Sequence, residues 1–136
     1  LPRRTGHIIN TASLAGELAV PGLATYCGTK FAVIGFTEAA RLEYRKSGVR
    51  LSTVRPTFTN TELVAGTAGA KGLRNAEPEE IARVTGELIE KPRPFVRVTR
   101  LAGSMVAAMK FVPERLATRL GSVRRRAGAC ADLIEC

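Results

Sequence analysis

Two short runs rich in β-branched and apolar residues, His7–Thr11 and Val49–Arg55, flank a stretch from Ala24 to Lys46 that only Gly28 and Gly35 interrupt as a helix. This arrangement constrains the fold more than any other feature. A helical connection of that length returns the chain to a parallel partner, because a hairpin would need only a few residues. Pro56 closes the second run, and the pattern then repeats. Pro78-Glu79-Glu80 opens another helix, with proline in its first turn and acids at the positive end of its dipole. Pro92 and Pro94 end it, and Phe95–Val98 supplies a third strand. Strand and helix alternate throughout, which predicts an α/β protein with a parallel sheet.

The periodicity also predicts how the helices pack. Phe31-Ala32-Val33-Ile34-Gly35-Phe36 is apolar nearly all round, so the long helix is expected to be covered by the sheet and also by another helix or subunit. Gly48 is its natural stop. In the second helix Ile81, Val84, Leu88 and Ile89 are expected to form the buried stripe. Between Thr57 and Ala76 small, polar and glycine residues without periodicity predict a mobile loop, of a length usually found in functional loops. Leu101–Val112 and Glu114–Val123 read as two short amphipathic helices broken at Pro113.

Composition excludes several classes. With 136 residues, 45% hydrophobic and 24% charged, one soluble globular unit is expected rather than a disordered or collagen-like chain. Three cysteines without a Cys-x-x-Cys pair and a single histidine, His7, argue against a zinc site or a disulfide framework. No metal is expected, and the cysteine count suits a reducing compartment, so a cytoplasmic location is expected. No apolar run approaches the roughly 18 residues of a membrane span, and the first ten residues lack a signal peptide's apolar core.

The chemistry lies near the first strand. Ser13 follows the end of that strand, where open α/β sheets place ligand sites. Tyr26 and Lys30, four apart, share one helix face. A phenol with an ordinary pKa of about 10 is a poor proton donor or acceptor at neutral pH. An ammonium beside it favours the phenolate and lowers that value. Tyr26 is then able to give a proton to a carbonyl oxygen or take one from an alcohol, while Ser13 holds the same oxygen. Alone, a Tyr–Lys pair at helical spacing is usually structural, and a serine in a small-residue loop usually belongs to a turn.

The wider pattern changes that weighting. Ile9-Asn10-Thr11-Ala12-Ser13-Leu14-Ala15-Gly16, then Pro21-Gly22, then Tyr26-Cys27-Gly28-Thr29-Lys30-Phe31-Ala32, closely resembles the active-site segment of the short-chain dehydrogenase/reductase family, serine-to-tyrosine spacing included. Arg55-Pro56-Thr57-Phe58-Thr59-Asn60-Thr61 resembles the family's Pro-Gly-x-Val-x-Thr segment, and the likeness runs from about Gly6 to Pro94. The resemblance implies an NAD(P)-dependent oxidoreductase acting between an alcohol and a ketone or aldehyde, without choosing NAD or NADP. It implies Tyr26 as acid/base, Ser13 as the group orienting substrate oxygen, and Lys30 as the residue that tunes Tyr26 and binds the nicotinamide ribose. Pro56 and Thr57 would line the cofactor, Thr59 and Thr61 would meet its carboxamide, and 57–76 would be the substrate loop. Thr57 departs from the family's usual glycine and Thr59 from a branched apolar residue. Cys27 and Asn10 are assigned no role.

The family's glycine-rich turn between a strand and a helix does not occur in this sequence, and the serine lies far closer to the start than usual. The expectation is therefore the C-terminal half of a Rossmann-type doubly wound parallel sheet. Residues 1–100 would form a partial catalytic domain and 101–136 a basic helical extension. The first strand would present an unpaired edge, and the chain alone would not turn over a substrate. A complete member would be a homodimer or homotetramer. The alternative is a non-catalytic remnant or interaction module lacking the cofactor half. Charge is concentrated at the end: eleven Lys and Arg stand against nine acids through residue 90, and ten against three beyond it. The basic extension is expected to pack on the domain or a partner subunit with a solvated rim. Peripheral contact with a membrane surface is its second reading, a nucleic-acid partner is not expected, and its apolar residues suit a lipophilic substrate.

Overall fold

A computed structural model of the chain describes residues 4–60, 74–109 and 111. Strand β1 (Gly6–Thr11) leads through a 3-10 turn (Leu14–Gly16) to helix α1 (Ala24–Glu43). Strand β2 (Val49–Arg55), helix α2 (Pro78–Glu90), strand β3 (Phe95–Arg97) and helix α3 (Arg100–Met109) follow. Both crossovers return in parallel, giving one sheet of order β1-β2-β3 with Ile8 opposite Leu51 and Val54 opposite Val96. Among the described residues β1 pairs on one side only, as an edge strand should. The predicted helix 114–123, and Pro113 with it, lie outside the described residues, as does most of the basic extension.

Each element ends for a local reason. Regular α1 stops at Glu43, three residues before the sequence suggests, and irregular turns carry the chain to Gly48 at φ +81°, a conformation favouring glycine. At the start of α2 the Glu80 carboxylate accepts from the Glu77 backbone N–H at 3.0 Å. Arg74 donates to the same carboxylate at 2.7 and 3.0 Å.

The core lies between the β2–β3 face and α2: Val54, Ala76, Val84, Leu88 and Val98 are buried, with Ile9, Ile81 and Val96 packed against them. Each fully buried aliphatic side chain contributes about 1.5–3 kcal/mol. Ile89 departs from the expected stripe and is 65% exposed, because Ile81, Val84 and Leu88 already fill the face toward the sheet. Helix α1 also departs from expectation. It buries Cys27, Ile34, Thr37 and Ala40, whereas Phe31 and Phe36 stay exposed, so within the described residues one side only is covered.

His7 gives the fold a pH dependence. Its Nε2 stands 2.7 Å from Ser52 Oγ, and the serine hydroxyl donates to the Arg93 carbonyl. The serine therefore accepts from Nε2–H, and a second ring proton would sit on buried Nδ1, which has no partner among the described residues. Burial, then the Arg50 charge, lower the His7 pKa from its ordinary value. The unfolded chain thus binds this proton more readily, and stability falls as pH drops below about 6.5. His7→Gln is expected to show a smaller loss of Tm than wild type between about pH 7.5 and 5.5. Equal losses in the two proteins would remove His7 as the source.

Candidate active site

The C-terminal ends of β1 and β2 bring the sequence-predicted groups together. Ser13 is buried, and its Oγ accepts from the Ala15 N–H at 3.1 Å, holding the start of the 3-10 turn. The same Oγ lies 3.5 Å from the Pro56 carbonyl oxygen, which also accepts from the Leu14 N–H at 2.9 Å. The turn bearing Ser13 is thereby fastened to the residue that ends β2. Across from it, the first turns of α1 carry Tyr26 and Lys30. Lys30 Nζ donates to the Thr11 carbonyl at 3.4 Å and stands 5.6 Å from the centre of the Tyr26 ring. Tyr26 is 45% exposed.

Gly16 sets the closeness of these two parts. A Cβ there would stand 2.6 Å from the Lys30 carbonyl oxygen and 2.8 Å from Ile34 Cδ1. The serine turn therefore rests directly on the backbone of the helix that carries Tyr26 and Lys30. Cys27, buried in the same helical turn, accepts from the Val20 N–H at 3.4 Å. Asn10 donates to Thr37 Oγ1 at 2.8 Å, a bond from β1 to α1.

The predicted cofactor residues Pro56, Thr57 and Thr59 follow β2 directly, with a bend at Phe58. Thr57 and Thr59 are half-buried, and the Thr59 hydroxyl donates to the Thr57 carbonyl at 3.2 Å. Thr61 lies outside the described residues, as does most of the predicted substrate loop. The two ends of that loop are clasped. Thr59 and Ala76 form a parallel bridge, Asn60 donates to Glu77 at 2.6 Å, and Asn75 donates to Asn60 at 2.8 Å.

One group escaped the sequence reading. Glu17, four residues after Ser13, is buried against Arg55 of β2 and Arg97 of β3. The signal was available: Glu17 is the one acid between Arg4 and Lys30, in an otherwise small and apolar stretch.

The parallel sheet agrees with what known proteins show. A model of the short chain dehydrogenase family matches residues 1–71, and the chain belongs to that family. It is 36% identical over 97 residues to cyclohexanol dehydrogenase of an Acinetobacter species, covering 67% of this chain and 39% of that one. It is 33% identical over 129 residues to 17-beta-hydroxysteroid dehydrogenase 13 of Rattus norvegicus, covering 91% of this chain and 42% of the relative. The chain thus spans about two fifths of the length of these curated relatives. A short chain dehydrogenase from Burkholderia cenocepacia, solved in complex with NADP, superposes with a TM-score of 0.71 at 24% identity over 85% of this chain and 47% of that one. The fold is that of the C-terminal part of a Rossmann-type sheet. A 4-hydroxyisoleucine dehydrogenase complexed with NADH shares 26% identity and a TM-score of 0.57 over 68% of this chain and 44% of its own.

Proposed function

We propose that this chain carries the acid–base part of an NAD(P)-dependent oxidoreductase interconverting an alcohol and a ketone or aldehyde. The observation that supports the reading is that the Lys30 ammonium lies beside the Tyr26 ring and on the carbonyl of Thr11, two residues before the buried Ser13. In the oxidative direction Ser13 Oγ holds the substrate oxygen and Tyr26 takes its proton. In the reductive direction Tyr26 returns that proton to the carbonyl oxygen. The nicotinamide, when bound, accepts or supplies the hydride at the substrate carbon. Lys30, already oriented by the Thr11 carbonyl, holds the ribose hydroxyls and keeps a positive charge beside the phenol.

The residues present fit the nicotinamide end of the cofactor: an ammonium oriented by the Thr11 carbonyl, the Tyr26 phenol beside it, and the Pro56–Thr59 segment that follows β2. A cradle for the pyrophosphate, a glycine-rich turn between strand and helix, has no counterpart in this sequence. The names of relatives, a cyclohexanol dehydrogenase and a 17-beta-hydroxysteroid dehydrogenase, support a cyclic, lipophilic secondary alcohol as substrate. The side of β1 with no strand partner among the described residues is where further strands of such a sheet would add.

Joined to the pyrophosphate-binding half of cyclohexanol dehydrogenase, the chain is expected to oxidise cyclohexanol or estradiol with NAD+ or NADP+. Ser13→Ala should lower that turnover by about 10²-fold. Saturable NAD(P)H binding by the hybrid without any turnover would sink the acid–base reading. The chain by itself is expected to show no turnover, and activity there would overturn the division between the two halves.

A further inference from the structure

The Glu17 carboxylate is 1% exposed and holds two guanidinium groups at once. Its Oε1 accepts from Arg55 Nη1 at 2.9 Å and from Arg97 Nε at 2.9 Å, and its Oε2 accepts from Arg97 Nη2 at 2.7 Å. Both guanidinium groups lie over the ring of Phe95, at 4.3 and 4.9 Å from its centre. Arg55 is further fixed by Thr53 Oγ1 at 3.0 Å and Glu38 at 2.8 Å. Two like charges so close together under low exposure need an anion between them, and Glu17 provides it.

The placement matters more than the strength. A buried ion cluster adds little net stability over a well-packed apolar one, whereas its hydrogen-bond directions define a single arrangement. Here the two chain segments it joins are those joined at Ser13. Glu17 closes the turn that Ser13 opens, with its backbone N–H on the Leu14 carbonyl at 2.9 Å. Arg55 directly precedes Pro56, whose carbonyl receives the Leu14 N–H and faces Ser13 Oγ. The Glu17–Arg55 bridge therefore runs beside the Ser13–Pro56 contact as a second fastening. Arg97 extends it to β3, and Leu14 and Leu18 pack on Val106 of α3.

We propose that Glu17 is a positioning residue that fixes the Ser13 hydroxyl for the substrate oxygen, acting through Arg55 and Arg97. The kinetic part of this inference rests on the oxidoreductase reading given above; the structural part does not. In the full chain, Glu17→Gln is expected to speed hydrogen exchange at the Leu14 and Ala15 amides by about tenfold or more, with the α2 core amides unchanged. Arg97→Gln, which keeps the Glu17–Arg55 bridge and so the fold, should do the same to a smaller extent. Uniform acceleration across the sheet and α2, or no change at Leu14 and Ala15 in Arg97→Gln, would overturn the proposal. In the active hybrid, Glu17→Gln should lower turnover by about tenfold when Ser13 is present and leave it unaltered in a Ser13→Ala background. Equal losses in both backgrounds would mark a merely structural role. A wild-type hybrid with no turnover would count against the oxidoreductase reading alone, and the exchange rates would still decide the role of Glu17.

Discussion

Tyr26→Phe is expected to reduce turnover of the active hybrid by about 10²- to 10⁴-fold while leaving its melting temperature nearly unchanged. The substitution removes one oxygen and keeps the ring. That ring is partly exposed, and its face toward Lys30 Nζ, at 5.6 Å, is retained. The Lys30 ammonium stays on the Thr11 carbonyl, so nicotinamide binding should persist. What is lost is the group to which the proposed reading assigns the proton on the substrate oxygen. The check is a steady-state rate measured beside a melting curve and an NAD(P)H titration. A loss below about tenfold, with binding intact, would remove Tyr26 from the role of acid/base.

Gly16→Ala is expected to act on the same reaction without touching a reacting group. The added methyl would meet the Lys30 carbonyl oxygen at 2.6 Å, the Lys30 carbonyl carbon at 2.8 Å and Ile34 Cδ1 at 2.8 Å. Two of these are backbone atoms inside a regular helix and do not yield as a flexible side chain would. The serine turn and α1 must therefore move apart, at about 1–3 kcal/mol of stability. A displacement of about 1 Å between reacting groups costs about 10²-fold in rate. Gly28→Ala and Gly35→Ala serve as controls. Both lie within α1 with open space at the Cβ position. Each should stabilise the chain by about 0.5–1 kcal/mol through helix propensity. Melting curves and turnover of the three variants decide the matter. A Gly16→Ala protein as stable and active as wild type would mean that the close approach is not maintained in solution.

What the sequence reveals and conceals has a physical pattern. The places of Ser13, Tyr26 and Lys30 in the fold are legible because a strand end and one helical turn set them, and both follow from local periodicity. The parallel order of the strands follows from the length of the two crossovers. Glu17, Arg55 and Arg97 are not legible in that way, since the bridged residues lie 38 and 80 positions apart and meet only when β2 and β3 are in register. The packing of Ile89 is misjudged for a related reason. Helical periodicity marks which residues are apolar, but the width of the sheet surface decides how many of them it covers. Phe31 and Phe36 extend the point: an apolar helix predicts a cover on each side, and the described residues supply it on one.

The clasp between Asn60, Asn75 and Glu77 has a consequence for divergence. With the two ends of the 57–76 segment tied to each other and to the start of α2, the register of the following helix no longer depends on what lies between them. Doubling the length of such a closed interval costs only about 0.6 kcal/mol in chain entropy. The interval is then free to vary in length and composition while β3, α2 and the serine turn keep their places. A protein built this way can take up insertions and deletions there without disturbing the turn that carries Ser13.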